Sequence, residues 1–194
     1  MNKKNYISLA NKAANIQIKE LKKIKKIFNK SFVKAVDLIL NCKGKVIFAG
    51  IGKSGLIARK ISATFSSVGM PSFFCDPAQA LHGDMGQIEK KDILIIFSYS
   101  GNTLELTNML KYANRYRIKI IGVASKPDSV LLKASDIKLI LPKVREADVT
   151  GMVPTSSTTI TLLLGDCLAT TVMHQKKFSK EKFKIFHPGG NIGA

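Results

Sequence analysis

No apolar run in this sequence approaches the ~18 residues that a membrane-spanning helix needs, so no membrane partner is expected. The start, Met1-Asn2-Lys3-Lys4, is basic, but no apolar block with a small-residue cleavage site follows. A secretory leader is therefore not expected. Cysteine is scarce: Cys42, Cys75 and Cys167 are scattered, form no CxxC pair and cannot all pair with one another. That excludes a disulfide framework and fits reduced, buried thiols in a cytoplasmic protein. His, Cys, Asp and Glu nowhere show the close spacing of a zinc site, so no metal is expected. A Walker lysine-serine loop and a nucleophile elbow are also missing. Without a Gly/Ser linker or a repeat, the 194 residues read as one domain, 1–194, with a single large core.

Acidic residues are few as well, 13 against 31 Lys and Arg, for a formal net charge of +18. Nucleic acid is one reason for such a charge. The lysines, however, are spread along the whole chain. Lys19, Lys22, Lys23, Lys25, Lys26 and Lys30 alternate with Ile18, Leu21, Ile24, Ile27 and Phe28, which is the polar face of an amphipathic helix. No aromatic–basic stacking platform accompanies them. The reading is a solvated lysine face attractive to anionic metabolites, with no nucleic-acid partner.

What is present is an alternation of helical and apolar segments. Residues from 4 to about 41 predict a helical lead, one long helix or two shorter ones, stopped at Lys43-Gly44. Strands are expected at about 45–49, 72–75, 92–97, 118–123 and 136–141. Helices are expected at about 54–68 and 103–115, from Ser129, at about 156–173, and briefly in the 179–194 tail. The apolar strands read as buried on both faces. This pattern predicts an α/β fold, a doubly wound three-layer sandwich around a mainly parallel five-stranded sheet.

Two loops look built for one phosphate. Gly50-Ile51-Gly52-Lys53-Ser54-Gly55 follows Val46-Ile47-Phe48-Ala49, and Ser98-Tyr99-Ser100-Gly101-Asn102-Thr103 follows Ile93-Leu94-Ile95-Ile96-Phe97. A strand entering a helix through such a loop aims backbone N–H groups and the positive end of the helix dipole at one spot. Glycine lets the backbone come close, and hydroxyls donate to phosphate oxygens. Gly50-x-Gly52-x-x-Gly55 also fits a dinucleotide fingerprint, with Asp76 placed as a ribose-binding acid. Lys53 would crowd that turn, the second loop would have no task, and Pro77 stops the strand at Asp76. No cofactor is therefore expected.

The remaining candidates are few. His82 lies in Leu81-His82-Gly83-Asp84-Met85-Gly86, where an imidazole either faces a pocket or belongs to the loop. His174, near a helix end, reads as a surface or dipole residue. His187, before Pro188-Gly189-Gly190, has no core to pack into and reads as catalytic. Glu105 stands in a first helical turn, where stabilising the N-terminus is its plain role. Glu146 lies in a long loop ahead of Pro154-Thr155-Ser156-Ser157-Thr158-Thr159, a run that caps and starts the next helix, with ligand contact secondary. Lys53 reads as a charge partner for phosphate or a sugar oxygen. A phosphate grip, two carboxylates, a lysine and one or two histidines suit proton transfer beside a carbonyl, as in an aldose–ketose isomerase.

With those motifs, Asp76-Pro77-Ala78-Gln79-Ala80-Leu81 before the His82 stretch, and Arg145-Glu146-Ala147, the chain resembles the sugar isomerase (SIS) domain family from about residue 20 to 194. Within that family it is similar to the D-arabinose-5-phosphate isomerases, chiefly through His-Gly-Asp-Met-Gly and the late His-Pro-Gly-Gly. The resemblance implies interconversion of D-ribulose 5-phosphate and D-arabinose 5-phosphate on the way to Kdo. It further implies a homotetramer with interfacial active sites. Catalytic positions would fall on Lys53, Glu105, Glu146 and His187, and substrate contacts on Gly52, Ser54, His82, Ser98, Ser100 and Thr103. Many relatives continue into paired CBS domains, and this sequence stops at Ala194. Hexulose-6-phosphate isomerase and a non-catalytic phosphosugar-binding regulator are the alternative readings.

Overall fold

A computed structural model describes residues 4–189 of the chain. Gly190 of the His-Pro-Gly-Gly motif and residues 191–194 of the expected tail lie outside the described residues.

The helical lead is two helices, α1 (Lys4–Leu21) and α2 (Lys30–Leu40), joined by a 3-10 turn over Lys22–Ile27. Asn29 makes the break definite. Its backbone is extended, and its side chain accepts a hydrogen bond from Ser31 N–H at 2.8 Å, capping α2. The lysine-rich turn still buries Ile24 and Ile27, whereas Ile18 and Phe28, expected on the same apolar face, are exposed. A 3-10 turn changes the period from 3.6 to 3.0 and so rotates the face along which apolar residues align.

Five strands follow: β1 (Val46–Gly50), β2 (Ser72–Phe74), β3 (Ile93–Phe97), β4 (Lys119–Ala124) and β5 (Ile137–Ile140). All neighbours pair in parallel, in the order β2-β1-β3-β4-β5. β1 and β3 are buried along their whole length, as two-sided apolar runs require. Their side chains alternate between two cores. Val46, Phe48, Ile93, Ile95 and Phe97 pack toward α2, α3 (Gly52–Ser67) and α6 (Ser156–Gln175). Ile47, Ala49, Leu94 and Ile96 pack toward α4 (Thr107–Arg115) and α5 (Val130–Ala134). The result is the expected three-layer sandwich. A short α7 (Lys180–Phe186) follows α6.

This order decides where a ligand fits. From β1 the chain winds outward to β2 on one side; from β3 it winds to β4 and β5 on the other. The winding reverses between β1 and β3, and parallel sheets bind ligands outside the strand carboxyl ends at such a point. Gly50 pairs with Phe97, so both strands end at the same level and both hydroxyl loops leave from there.

Close packing keeps the loops together. A Cβ on Gly55 would sit 2.6 Å from Gly50 O, so the first turn of α3 rests directly on the end of β1. A Cβ on Gly165 would sit 2.1 Å from Ile61 Cδ1, marking a close crossing of α6 over α3. Of the cysteines, Cys75 is buried and Cys42 and Cys167 are partly exposed, rather than all three being buried. None is paired, and burial pushes the Cys75 thiol up to about 11.

Candidate active site

A cavity of ≈ 400 Å³ opens at the β1/β3 switch point. Ile51 and Ile57 supply apolar lining; Lys53, Ser54, Ser98, Ser100, Thr103 and Glu146 supply most of the polar one. Ser54 and Ser100, one from each loop, therefore face a common space. The N-terminal turns of both α3 and α6 border it, since Ser157 and Thr158 also line the wall. Two helix N-termini aimed at one cavity favour an anion there.

The second loop is held from within. The Ser98 and Thr103 hydroxyls are hydrogen-bonded at 2.8 Å, and Gly101 N–H donates to Ser98 Oγ at 3.1 Å. Gly101 adopts φ +70°, a left-handed conformation costly for other residues, and a Cβ there would meet Ser129 Oγ at 2.2 Å. The Gly101 carbonyl and Asn102 Oδ1 accept the first amides of α5, from Leu131 and Val130, each at 2.9 Å. Asn102 thus serves the scaffold, while exposed Ser100 is left facing the cavity.

Glu146 reaches the cavity from the loop after β5. Its Oε2 accepts from Thr155 N–H at 2.8 Å, from the Thr155 hydroxyl at 3.0 Å and from Ser157 N–H at 3.2 Å. The carboxylate therefore caps α6. Burial alone would raise its pKa, but the hydrogen bonds from Ser157 and Thr155 outweigh burial and hold it below the ordinary glutamate value of 4.5. At neutral pH it is ionised.

The other candidates lie elsewhere. Gly52, with φ +58°, makes the turn into α3 but does not line the cavity. Glu105 is exposed in a 3-10 turn, Leu104–Leu106, and is not part of the lining. His82 is exposed at the end of another 3-10 turn, Gln79–His82, closed by Gly83 at φ +119°. Asp76, the acid of the dinucleotide pattern, accepts from Ala78 N–H at 2.9 Å and shapes that same loop. His187 stacks on Phe183 with ring centroids 3.9 Å apart, and its Nδ1 lies 2.9 Å from Phe183 O. Gly69, just past the last turn of α3, underlies the Phe178 and Phe186 rings, the second one residue before His187. Lys53 and Ser54 stand at the opposite end of that helix, whose 16 residues span about 24 Å. His187 is thus remote from the cavity of its own chain. Among the described residues no group of three His, Cys, Asp or Glu is gathered as for a metal ion.

Sequence reasoning missed Tyr99, whose hydroxyl accepts from Val144 N–H at 3.0 Å and donates to Pro142 O at 3.2 Å. It ranked Ser157 and Thr158 as cap residues first; both lie inside the first turn of α6 and line the cavity, while Glu146 caps the helix. The signal was available, because the same helix-start pattern had marked the other loops as anion sites.

A family model described as the SIS domain matches residues 39–171. Arabinose 5-phosphate isomerase KdsD of Pseudomonas aeruginosa is 45% identical over 162 residues, 84% of this chain and 50% of that protein. An uncharacterized protein of Rickettsia prowazekii, RP505, is 42% identical over all 194 residues, 60% of its own length. The chain thus spans between half and three-fifths of the curated relatives it matches. Among solved structures, Escherichia coli CFT073 c3406 in complex with arabinose 5-phosphate superposes with TM-score 0.93 at 34% identity, covering 97% of this chain and 100% of that one.

Proposed function

The chain belongs to the SIS domain family, and on that premise we propose that it is an aldose–ketose isomerase interconverting D-ribulose 5-phosphate and D-arabinose 5-phosphate. The reaction supplies arabinose 5-phosphate for Kdo of lipopolysaccharide or capsule. The observation that carries the reading is the cavity where two helix N-termini, two hydroxyl loops and an ionised Glu146 meet. The relatives named KdsD and the arabinose 5-phosphate complex of c3406 support the choice of sugar.

In this mechanism Ser54, Ser98, Ser100 and Thr103, with the backbone around Gly52, hold the phosphate. Glu146 carries the proton between C1 and C2, with Oε2 anchored on α6. Its depressed pKa keeps it in the accepting form, and removing a proton beside a carbonyl is made easier by stabilising the enediolate oxygen. Lys53 provides that positive charge or pairs with the phosphate. Glu105, outside this cavity's lining, is the alternative base, and His82, also outside it, would join a pocket only with a neighbouring copy.

His187 opens the furanose or relays protons between oxygens, and it does so in a neighbouring copy, since it is remote from its own cavity. This fits a homotetramer with interfacial sites. Exposed Tyr6, Ile7 and Leu9 on α1, with Ile185 and Phe186 at α7, offer apolar surface for such contacts. The lead, residues 1–41, and the tail, 179–194, then serve assembly and the active site of one SIS domain over 1–194.

The test is incubation with D-ribulose 5-phosphate, scoring arabinose 5-phosphate by coupled condensation. Turnover supports the proposal. Binding of phosphosugar without turnover would make the protein a sensor instead.

A further inference from the structure

The segment carrying Glu146 has no regular secondary structure of its own, yet four successive residues of it are tethered. Tyr99 takes Pro142 and Val144: its hydroxyl donates to Pro142 O at 3.2 Å and accepts from Val144 N–H at 3.0 Å. The helical lead takes the two residues between and beyond. Lys23 Nζ donates to Lys143 O at 3.2 Å, and Glu20 Oε2 accepts from Arg145 N–H at 3.2 Å. Glu20 and Lys23 are themselves ion-paired. Alternation of partners along a chain is what an extended backbone produces, since successive peptide groups point to opposite sides. The strap is pinned from both.

Neither anchor is a casual surface contact. Glu20 is only 6% exposed, and a buried carboxylate is costly unless it is paired and hydrogen-bonded. The Lys23 hydrogen bond and the Arg145 amide hold it below the usual carboxylate range against the opposing effect of burial. Tyr99 is half-buried against the core. Burial, and the nearby charge of Glu146, push its hydroxyl above the usual tyrosine value. The Tyr99 carbonyl is fixed in turn by the Ser125 amide and hydroxyl, each at 2.8 Å.

Tyr99 also stands between Ser98 and Ser100. The residue that holds the Glu146 strap therefore belongs to the hydroxyl loop that lines the cavity. We propose that Tyr99 and the Glu20–Lys23 pair are positioning residues that fix Glu146 relative to the phosphate loop, so that base and anion grip form one rigid unit. The proposal rests on the reading of Glu146 as the proton-transfer base. Glu20 further gives the helical lead a role in catalysis at a distance from the cavity.

Tyr99→Phe keeps the ring and removes both strap contacts. Glu20→Gln keeps an acceptor for Arg145, whereas Glu20→Ala removes it. Amide hydrogen exchange is read at Val144 and Arg145 without substrate, and kcat and KM are read with D-ribulose 5-phosphate. In Tyr99→Phe, exchange at Val144 accelerates and kcat falls about 10- to 100-fold, the cost typical of a misplaced catalytic group. KM stays nearly constant, because the phosphate contacts remain. Glu20→Ala lowers kcat and speeds exchange at Arg145, and Glu20→Gln restores most of both. Full kcat in Tyr99→Phe beside an active wild type, or a change confined to KM, overturns the positioning role alone. A wild-type protein without turnover overturns the isomerase reading and the positioning role with it, whereas a Glu146→Gln variant as active as wild type leaves the isomerase reading standing and overturns the base assignment and the positioning role that rests on it. Exchange at Val144 and Arg145 then still reports whether the strap is held.

Discussion

The carboxyl end of the sheet and the histidine-bearing segments are built on opposite plans. At the sheet end, one chain gathers Ser54, Ser98, Ser100, Thr103 and Glu146 around a single cavity, each fixed by a helix start or an internally bonded loop. His82 lies exposed on a 3-10 turn, and His187 leans on Phe183 beyond the far end of α3. The contrast separates two tasks. Holding an anion needs backbone amides and hydroxyls at fixed places, which strand-to-helix turns supply within one fold. Imidazoles on exposed, short elements become useful once another surface covers them. On the proposed function, grip and base would belong to one subunit, and the histidine chemistry to its neighbour.

The largest effect expected is from Glu146→Gln, which should lower kcat about 10²- to 10⁴-fold, the usual contribution of a positioned acid–base group. A steady-state assay checks it, and near-normal turnover would move the base to Glu105. His187→Ala should fall within the same about 10²- to 10⁴-fold range if the imidazole relays protons. Mixing it with Glu146→Gln subunits should then recover activity that neither variant has alone. Failure of mixed assemblies to recover, with co-assembly shown by native mass spectrometry, would bring the histidine back to its own chain.

Ser54→Ala and Ser100→Ala should each weaken phosphosugar binding by about 1.5–3 kcal/mol, the range for hydrogen bonds to charged groups. Titration calorimetry reads this directly, and an effect from only one loop would show that the cavity is not shared. Gly165→Ala should cost about 1–3 kcal/mol in denaturant unfolding, because the added methyl overlaps Ile61 where α6 crosses α3. The pH effect is the smallest. Glu146 has a folded pKa below 4.5, so its stabilising contribution is complete above 4.5 and is lost as pH falls through the folded value. The stability difference between wild type and Glu146→Gln should vanish along that acidic limb, measured by urea unfolding across pH.

Much of this was legible in the sequence because the strongest signals are local. The apolar runs at 46–49 and 93–97 could only be buried strands, and the glycine-hydroxyl loops after them could only be turns into helices. What sequence could not supply was strand order, which depends on how separate helices pack. That order alone puts the two loops side by side. Asn29 was missed as a helix cap because the apolar spacing of the lead continues across it. Tyr99 and Glu20 were missed for a different reason. Their partners at 142–145 are 43 or more residues away, beyond the reach of any period or spacing. Tyrosine between two serines reads as loop chemistry until the strap is seen lying against it.

Incubation with D-ribulose 5-phosphate in deuterated water, followed by NMR, tests the central claim most directly. An enediolate whose proton on Glu146 exchanges with solvent before return should yield arabinose 5-phosphate carrying solvent deuterium at C2, and the Glu146→Gln protein should yield none at a comparable rate. Unchanged ribulose 5-phosphate with the wild-type protein, or full deuterated product from Glu146→Gln, would contradict it.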